Sequence, residues 1–66
     1  MDGVIARLVK DKGFGFVKGD DGKERFFHLS SLVSGVDFEE LKEGDKVIFQ
    51  PGQSTKGLRA EKVDLA

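Results

Sequence analysis

Residues that break regular structure recur so often along this chain that they restrict its fold more than any other feature. Turn signals occur at Gly3, Gly13, residues 19–22 (GDDG), Gly35, residues 43–45 (EGD), residues 51–52 (PG) and Gly57. The segments between them are short and rich in Val, Ile, Phe and Leu. Such spacing is typical of a small all-β barrel or sandwich, and it leaves no helix long enough to cover a sheet.

These segments predict five strands, at residues 4–9, 14–18, 24–29, 46–50 and 58–65. A hairpin turn at residues 19–22 joins the second strand to the third, because glycine and aspartate adopt its unusual backbone angles. Ser30 can cap a single helical turn, and residues 37–45 are interpreted as a loop. Short strands without covering helices remove their exposed edges best by closing on themselves, so we predict a five-stranded antiparallel OB-fold barrel.

The predicted barrel forms one domain over residues 1–66. Side chains alternate across a strand, so the interior can be filled by Ile5, Val17, Phe27, Leu29, Val47, Phe49 and Val63. A domain of this length buries only about 60% of its unfolded surface, and we therefore expect marginal stability.

Composition argues against several kinds of site and partner. The chain has no cysteine and one histidine, so neither a disulfide nor a structural zinc site is expected. It shows no signal peptide and no long apolar run, which predicts a cytoplasmic protein that does not enter a membrane. We expect a monomer without metal or cofactor. The formal net charge of −1 does not by itself indicate a nucleic-acid partner.

Strand alternation places four ring side chains on one face of two neighbouring strands. Phe14 and Phe16 share a face of the second strand with Lys18, and Phe26 shares a face of the third with His28. A tight turn makes these strands antiparallel neighbours, so the rings form one contiguous patch that points outward when the predicted core points inward. The inverted arrangement, with these rings inside and Val17, Phe27 and Leu29 outside, is the alternative. It only exchanges one exposed apolar surface for another.

An exposed aromatic patch is costly in a soluble protein unless a ligand covers it. The first 25 residues also contain six basic side chains, Arg7, Lys10, Lys12, Lys18, Lys23 and Arg25. Charge alone fits an ordinary solvated surface better than a binding face. Rings and cations together, however, are what a nucleic acid needs, because bases stack on rings and phosphates pair with Lys and Arg.

Two motifs and their spacing resemble those of bacterial cold-shock proteins. DKGFGFV at residues 11–17 and RFFHLSSL at residues 25–32 are similar to the paired ribonucleoprotein-type motifs of that family. LKEGDKVIF at residues 41–49 and KGLRAEKV at residues 56–63 extend the resemblance over the whole chain. The first motif also nearly fits the RRM pattern, but an RRM needs two packing helices for which this chain has no room.

The resemblance implies an OB-fold barrel that binds single-stranded RNA and DNA with little sequence preference. Family members act as RNA chaperones and as regulators of transcription or translation. Position by position, the family's base-stacking residues correspond to Phe14, Phe16, Phe26 and His28. Lys12 corresponds to a nucleic-acid-contacting lysine, and Lys56 lies in a loop that is often basic. Phe38 resembles the aromatic of the long loop, where it either clasps a base or covers the barrel end.

The first strand departs from the family pattern. Residues 6–9 read ARLV where the family usually has KWFN, so the aligned tryptophan is replaced by Arg7. Leu29 and Leu58 replace a phenylalanine and a proline. Losing one stacking ring weakens binding by about 1–3 kcal/mol, and Arg7 can recover part of this because guanidinium planes stack on bases. We therefore predict a weaker and more salt-dependent binder than typical members.

His28 has three candidate roles, as a catalytic base, a metal ligand or a stacking surface. No second histidine or cysteine is available to share a metal, and no orienting acid or oxyanion site supports Ser-His catalysis. We therefore predict a non-enzymatic single-strand binder, in which Arg7, Lys12, Lys18 and Lys56 engage the backbone. The alternative is a protein-interaction module that kept the barrel and lost nucleic-acid binding.

Overall fold

The computed structural model describes residues 1–66. Its strands are β1 (Asp2–Val9), β2 (Phe14–Gly19), β3 (Glu24–His28), β4 (Lys46–Ser54) and β5 (Gly57–Leu65), and two 3-10 turns span Leu29–Ser31 and Phe38–Glu40. The strands close into a barrel in the order β1-β2-β3-β5-β4, which confirms the predicted five-stranded barrel. None of the elements is a helix with the length and apolar character that a membrane span requires.

Strand β4 is longer than predicted. Residues 51–52 were expected to form a turn, but β4 continues through them to Ser54, and Pro51 is paired with Ala60 of β5. Strand β1 pairs with β4 only between Lys46 and Ile48. Pro51 therefore lies where one side of β4 has no β1 partner, which is the kind of position where a strand tolerates proline.

Strand β1 contains a bulge that changes which side chains face outward. Ile5 is paired with Val17, but the next pair is Arg7 with Phe16, so Ala6 is an extra residue on β1. A bulge of this kind re-aims the side chains that follow it. Ile5, before the bulge, is buried in the core, whereas Arg7, after it, is exposed directly across from Phe16.

The barrel closes through a short parallel junction between β3 and β5. These two strands are paired at one position, Phe26 with Arg59, and an isolated bridge joins Leu32 to Val63 just beyond it. The other four junctions are antiparallel. The prediction of an antiparallel barrel is therefore correct for four junctions and wrong for this one.

The core comprises nine buried apolar residues, Ile5, Val17, Phe27, Phe38, Leu41, Val47, Phe49, Ala60 and Val63. Leu29 was predicted to belong to it, but its side chain is 48% exposed because β3 ends at His28 and a 3-10 turn begins at Leu29. Residues 37–45 contribute two core side chains instead, so the predicted loop also closes one end of the barrel.

The β2–β3 turn is held by an ion pair between Arg25, a buried residue of β3, and Asp21 of the turn. Arg25 is 6% exposed, and its guanidinium donates two hydrogen bonds to the carboxylate of Asp21, at 3.1 and 2.8 Å. The Cζ atom of Arg25 also lies 5.5 Å from the centroid of the Phe49 ring. Hydrogen bonds from Arg25 and from the backbone N–H of Lys23 hold the pKa of Asp21 well below its ordinary value. Arg25 is therefore not available to a phosphate.

Candidate nucleic-acid interface

Four ring side chains form one patch on the outer face of β2 and β3, here called the aromatic platform: Phe14, Phe16, Phe26 and His28. Phe14 is paired with His28 and Phe16 with Phe26 across the two strands. The Phe26 ring centroid lies 5.4 Å from that of Phe14 and 6.0 Å from that of Phe16. All four side chains are partly exposed and none belongs to the core. The outward arrangement is therefore confirmed and the inverted one is excluded.

The glycine between the two rings of β2 explains why bulk lies on one side only. A Cβ atom at Gly15 would lie 2.6 Å from the carbonyl oxygen of Arg7 and 3.0 Å from the ring of Phe27. The inner side of β2 has no space there because the neighbouring strand backbone and the core ring approach so closely. Position 15 therefore accepts only glycine, and the bulk of this part of β2 is supplied by Phe14 and Phe16 on the outer face.

His28 is held in a defined orientation at the end of the platform. Its Nδ1 accepts a hydrogen bond from the backbone N–H of Ser30 at 3.2 Å and lies 3.1 Å from the Ser30 hydroxyl. Because Nδ1 accepts, the neutral ring carries its proton on Nε2. His28 can therefore offer both a ring face and an N–H donor to a base.

A transverse row of side chains crosses four strands at the platform. Arg7 of β1 is paired with Phe16 of β2, Phe16 with Phe26 of β3, and Phe26 with Arg59 of β5. The Cζ atom of Arg59 lies 5.4 Å from the centroid of the Phe26 ring. Two phenylalanine rings thus lie between two arginines. No sequence pattern pointed to Arg59, because the parallel β3–β5 pairing that brings it here joins distant parts of the chain.

The predicted lysines are exposed and lie at different places around this row. Lys12 lies in the β1–β2 turn, two residues before Phe14, and Lys56 lies in the turn between β4 and β5. Lys18 is on β2 beyond Phe16 and is paired with Glu24 of β3. Apart from the Arg25–Asp21 pair, the structure contains no salt bridge. These cations are therefore free of intramolecular ion pairs.

The structure corrects the prediction for Phe38. Its side chain is 7% exposed, and its ring centroid lies 6.3 Å from that of the core residue Phe27 in an edge-to-face arrangement. Asp37 fixes the short 3-10 turn by accepting a hydrogen bond from the N–H of Glu39. Of the two roles that the sequence left open for Phe38, the structure therefore shows the second. Phe38 covers the end of the barrel and does not extend the platform.

The site contains no arrangement suited to metal binding. The structure has no group of three or more His, Asp or Glu side chains that would hold an ion. The rings, the His28 imidazole and the nearby cations of the platform can stack, donate hydrogen bonds and form ion pairs.

Comparison with known proteins identifies the family. The chain matches the 'Cold-shock' DNA-binding domain over residues 1–66. It is 41% identical over 65 residues to the major cold shock protein CspA of Pseudomonas aeruginosa, covering 98% of this chain and 93% of that protein. It is 37% identical over 62 residues to cold shock protein 1 of Lactiplantibacillus plantarum, with 94% and 92% coverage. Temperature acclimation protein A of Pseudomonas fragi is 43% identical over 53 residues, with 80% and 88% coverage.

The exposed aromatic platform fits this match, and the alternative of a protein-interaction module is not favoured by it. The chain belongs to the cold-shock DNA-binding domain family, and its function is nucleic-acid binding of the cold-shock type.

Proposed function

We propose that this protein binds single-stranded RNA or DNA by stacking unpaired bases on the aromatic platform, without catalysing a reaction. The observation that carries the proposal is the contiguous set of partly exposed rings on β2 and β3, with phenylalanine centroids 5.4 to 6.1 Å apart. Base stacking on such rings contributes about 1–3 kcal/mol per base and tolerates any sequence, because every base has a flat face. The protein acts as a monomer in the cytoplasm.

In the proposed complex, basic side chains around the platform neutralise the phosphates. Arg7, Lys12, Lys18 and Lys56 are exposed and form no ion pair within the protein. Because the protein binds the unpaired strand and not the paired one, it shifts transient secondary structure toward the open form by mass action. An RNA chaperone, or a regulator of transcription or translation, requires this behaviour.

The replacement of a first-strand ring by Arg7 sets the strength of binding in this proposal. Arg7 lies across from Phe16 and offers a guanidinium plane where the family usually has an indole. The loss of one ring lowers affinity, and a larger share of the remaining affinity comes from charge. Affinity should therefore fall steeply with added salt, since bound phosphates release counterions.

The test is a fluorescence anisotropy titration of labelled heptathymidine at low salt. We expect Phe16→Ala combined with Phe26→Ala to weaken binding by at least about 25-fold, because two stacking contacts are removed. Ile48→Ala serves as the matched control, since it removes an exposed apolar side chain of β4. Equal affinities of wild type and the double variant would contradict the proposal, as would loss of binding in the Ile48 variant alone.

A further inference from the structure

Beside the aromatic platform, a recess of about 430 Å³ opens where the 3-10 turn after β3 meets β4 and β5. Its polar lining comprises Ser30, Ser31, Gln50, Arg59, Glu61 and Lys62, and Lys62 forms no salt bridge with Glu61. The volume falls within the range of small-molecule sites. Because Ser30 follows the platform residue His28 by two positions and Arg59 lies over Phe26, the recess is adjacent to the platform at two points.

Arg59 brings unpaired donors to this recess. Its guanidinium forms no salt bridge, and its Nε is shielded from solvent without a hydrogen-bond partner. Contact with the Phe26 ring holds the planar group in position. A planar guanidinium presents its N–H donors in a fixed fork, which suits two neighbouring acceptors on one ligand.

Glu61 brings an unpaired acceptor to the same recess. It lies on the same face of β5 as Arg59, two residues further along the strand. Its carboxylate lies over Gly52, where a Cβ atom would be only 2.5 Å from Oε2, and Gly52 is the residue paired with Arg59. Although they are neighbours, Arg59 and Glu61 form no ion pair. The recess therefore contains hydrogen-bond donors on the Arg59 guanidinium and, separate from them, acceptors on the Glu61 carboxylate.

Guanine is the base whose edges match this arrangement. It carries two adjacent acceptors, O6 and N7, to which arginine donates in the commonest specific base contact, and it also carries the N2 amino donors. Unstacked bases of a single strand expose both of these edges. Thymine and cytosine lack the O6/N7 pair, and adenine presents an amino donor in place of O6.

We propose that this recess is a guanine-selective subsite, in which Arg59 donates to O6 and N7 and Glu61 accepts from the N2 amino group. The proposal rests on the proposed function, because the base must belong to a strand held on the platform. It gives the protein a preference for a guanine at one position of an otherwise sequence-tolerant site.

The experiment measures the affinity of the full chain for heptathymidine and for heptathymidine with one guanine placed at each position in turn. At the best position we expect guanine to bind about 5- to 150-fold more tightly than thymine, the range of one good bidentate contact. Replacing that guanine by 7-deazaguanine, which lacks N7, or by hypoxanthine, which lacks the N2 amino group, should remove part of the gain. These modified bases test the subsite on the wild-type protein.

Protein variants assign the effect to the two side chains. Arg59→Gln and Glu61→Gln should bring the guanine oligonucleotide to the affinity of heptathymidine, whereas Lys12→Gln should weaken both oligonucleotides by the same factor. The folded state of each variant is checked by its amide NMR spectrum. In wild type, the Arg59 Nε–H resonance should shift with the guanine oligonucleotide and not with heptathymidine.

Three results would overturn the subsite. If heptathymidine binds and guanine gives no gain at any position, the subsite is wrong while the proposed function stands. If Arg59→Gln weakens both oligonucleotides equally and lowers the salt dependence, Arg59 contacts phosphate and not a base. If no oligonucleotide binds at all, both proposals fail.

Discussion

The two faces of the β2–β3 hairpin are built from the same residue types and differ in what surrounds them. On the inner face, Val17 and Phe27 are fully buried. On the outer face, Phe16 and Phe26 are partly exposed and lie with ring centroids 6.0 Å apart. The inner side chains stabilise the barrel by leaving water, whereas the outer rings retain contact area that a ligand can still remove from water.

The two arginines beside these faces differ in the same way. Arg25 and Arg59 each lie over a phenylalanine ring, at 5.5 and 5.4 Å, and each has an Nε without a partner. Arg25 is buried and holds Asp21 through two hydrogen bonds, while Arg59 forms no ion pair. Both arginines thus contact a ring in the same way. Arg25 is paired with a carboxylate and stabilises the fold, whereas Arg59 has no such partner and stays available to a ligand.

The largest effect should come from deleting the ring on the inner face, compared with deleting one on the outer face. Phe27→Ala should lower the free energy of unfolding by about 3–5 kcal/mol, because it leaves a cavity in the core, whereas Phe26→Ala should lower it by about 1–2 kcal/mol. Urea denaturation followed by circular dichroism measures both. If Phe27→Ala does not fold, Phe27→Leu should still lose more stability than Phe26→Leu. Equal losses on the two faces would contradict the comparison.

A smaller loss should follow from adding one methyl group to the inner side of β2. Gly15→Ala places a Cβ 2.6 Å from the carbonyl oxygen of Arg7, so the β1 backbone must shift. We expect a loss of about 1–3 kcal/mol, as for other overpacked sites. Gly52→Ala is the matched control, because its backbone has no positive φ and the Cβ would meet only the flexible side chain of Glu61, which can move aside. A Gly15 variant as stable as wild type in urea would show that the inner side has room.

The smallest effect should appear as a pH dependence of stability. The pKa of Asp21 is lowered in the folded state, chiefly by the hydrogen bonds from Arg25, so its contribution is complete above the unfolded value of about 3.9 and is lost as pH falls toward the folded value. Asp21→Asn should therefore destabilise the protein at pH 6, and the difference from wild type should shrink below about pH 4.

Urea midpoints measured between pH 6 and pH 2 report this difference. Asp20→Asn is the control, since the neighbouring Asp20 forms no ion pair. A difference between wild type and Asp21→Asn that stays constant over the whole pH range would show that the Asp21–Arg25 pair is not its source.

The sequence carried most of the fold and the orientation of the platform. Two-residue alternation correctly assigned Ile5, Val17, Phe27, Val47 and Phe49 to the core, because each lies within a regular strand. The GDDG turn fixed β2 and β3 as antiparallel neighbours, and the outward position of the platform rings followed from both signals.

Other features depend on information that local patterns do not contain. The bulge at Ala6 shifts the register by one residue, which no regular period shows. Arg59 reaches the platform only because closing the barrel pairs β5 with β3, far apart in sequence. Phe38 and Leu41 lie outside the strands, so alternation says nothing about their burial. The roles of Lys12, Lys18 and Lys56 in binding stay predictions.

The parallel junction between β3 and β5 has a consequence for how the protein responds to a ligand. With one paired position and one isolated bridge, this junction has the fewest paired positions in the barrel. Local opening costs the least free energy where few contacts must be broken. A strand of nucleic acid lying across Phe26 and Arg59 would contact both strands of this junction, β3 and β5. Its binding free energy would then oppose local opening of the β3–β5 junction. Ligand binding and closure of the barrel would therefore be thermodynamically coupled.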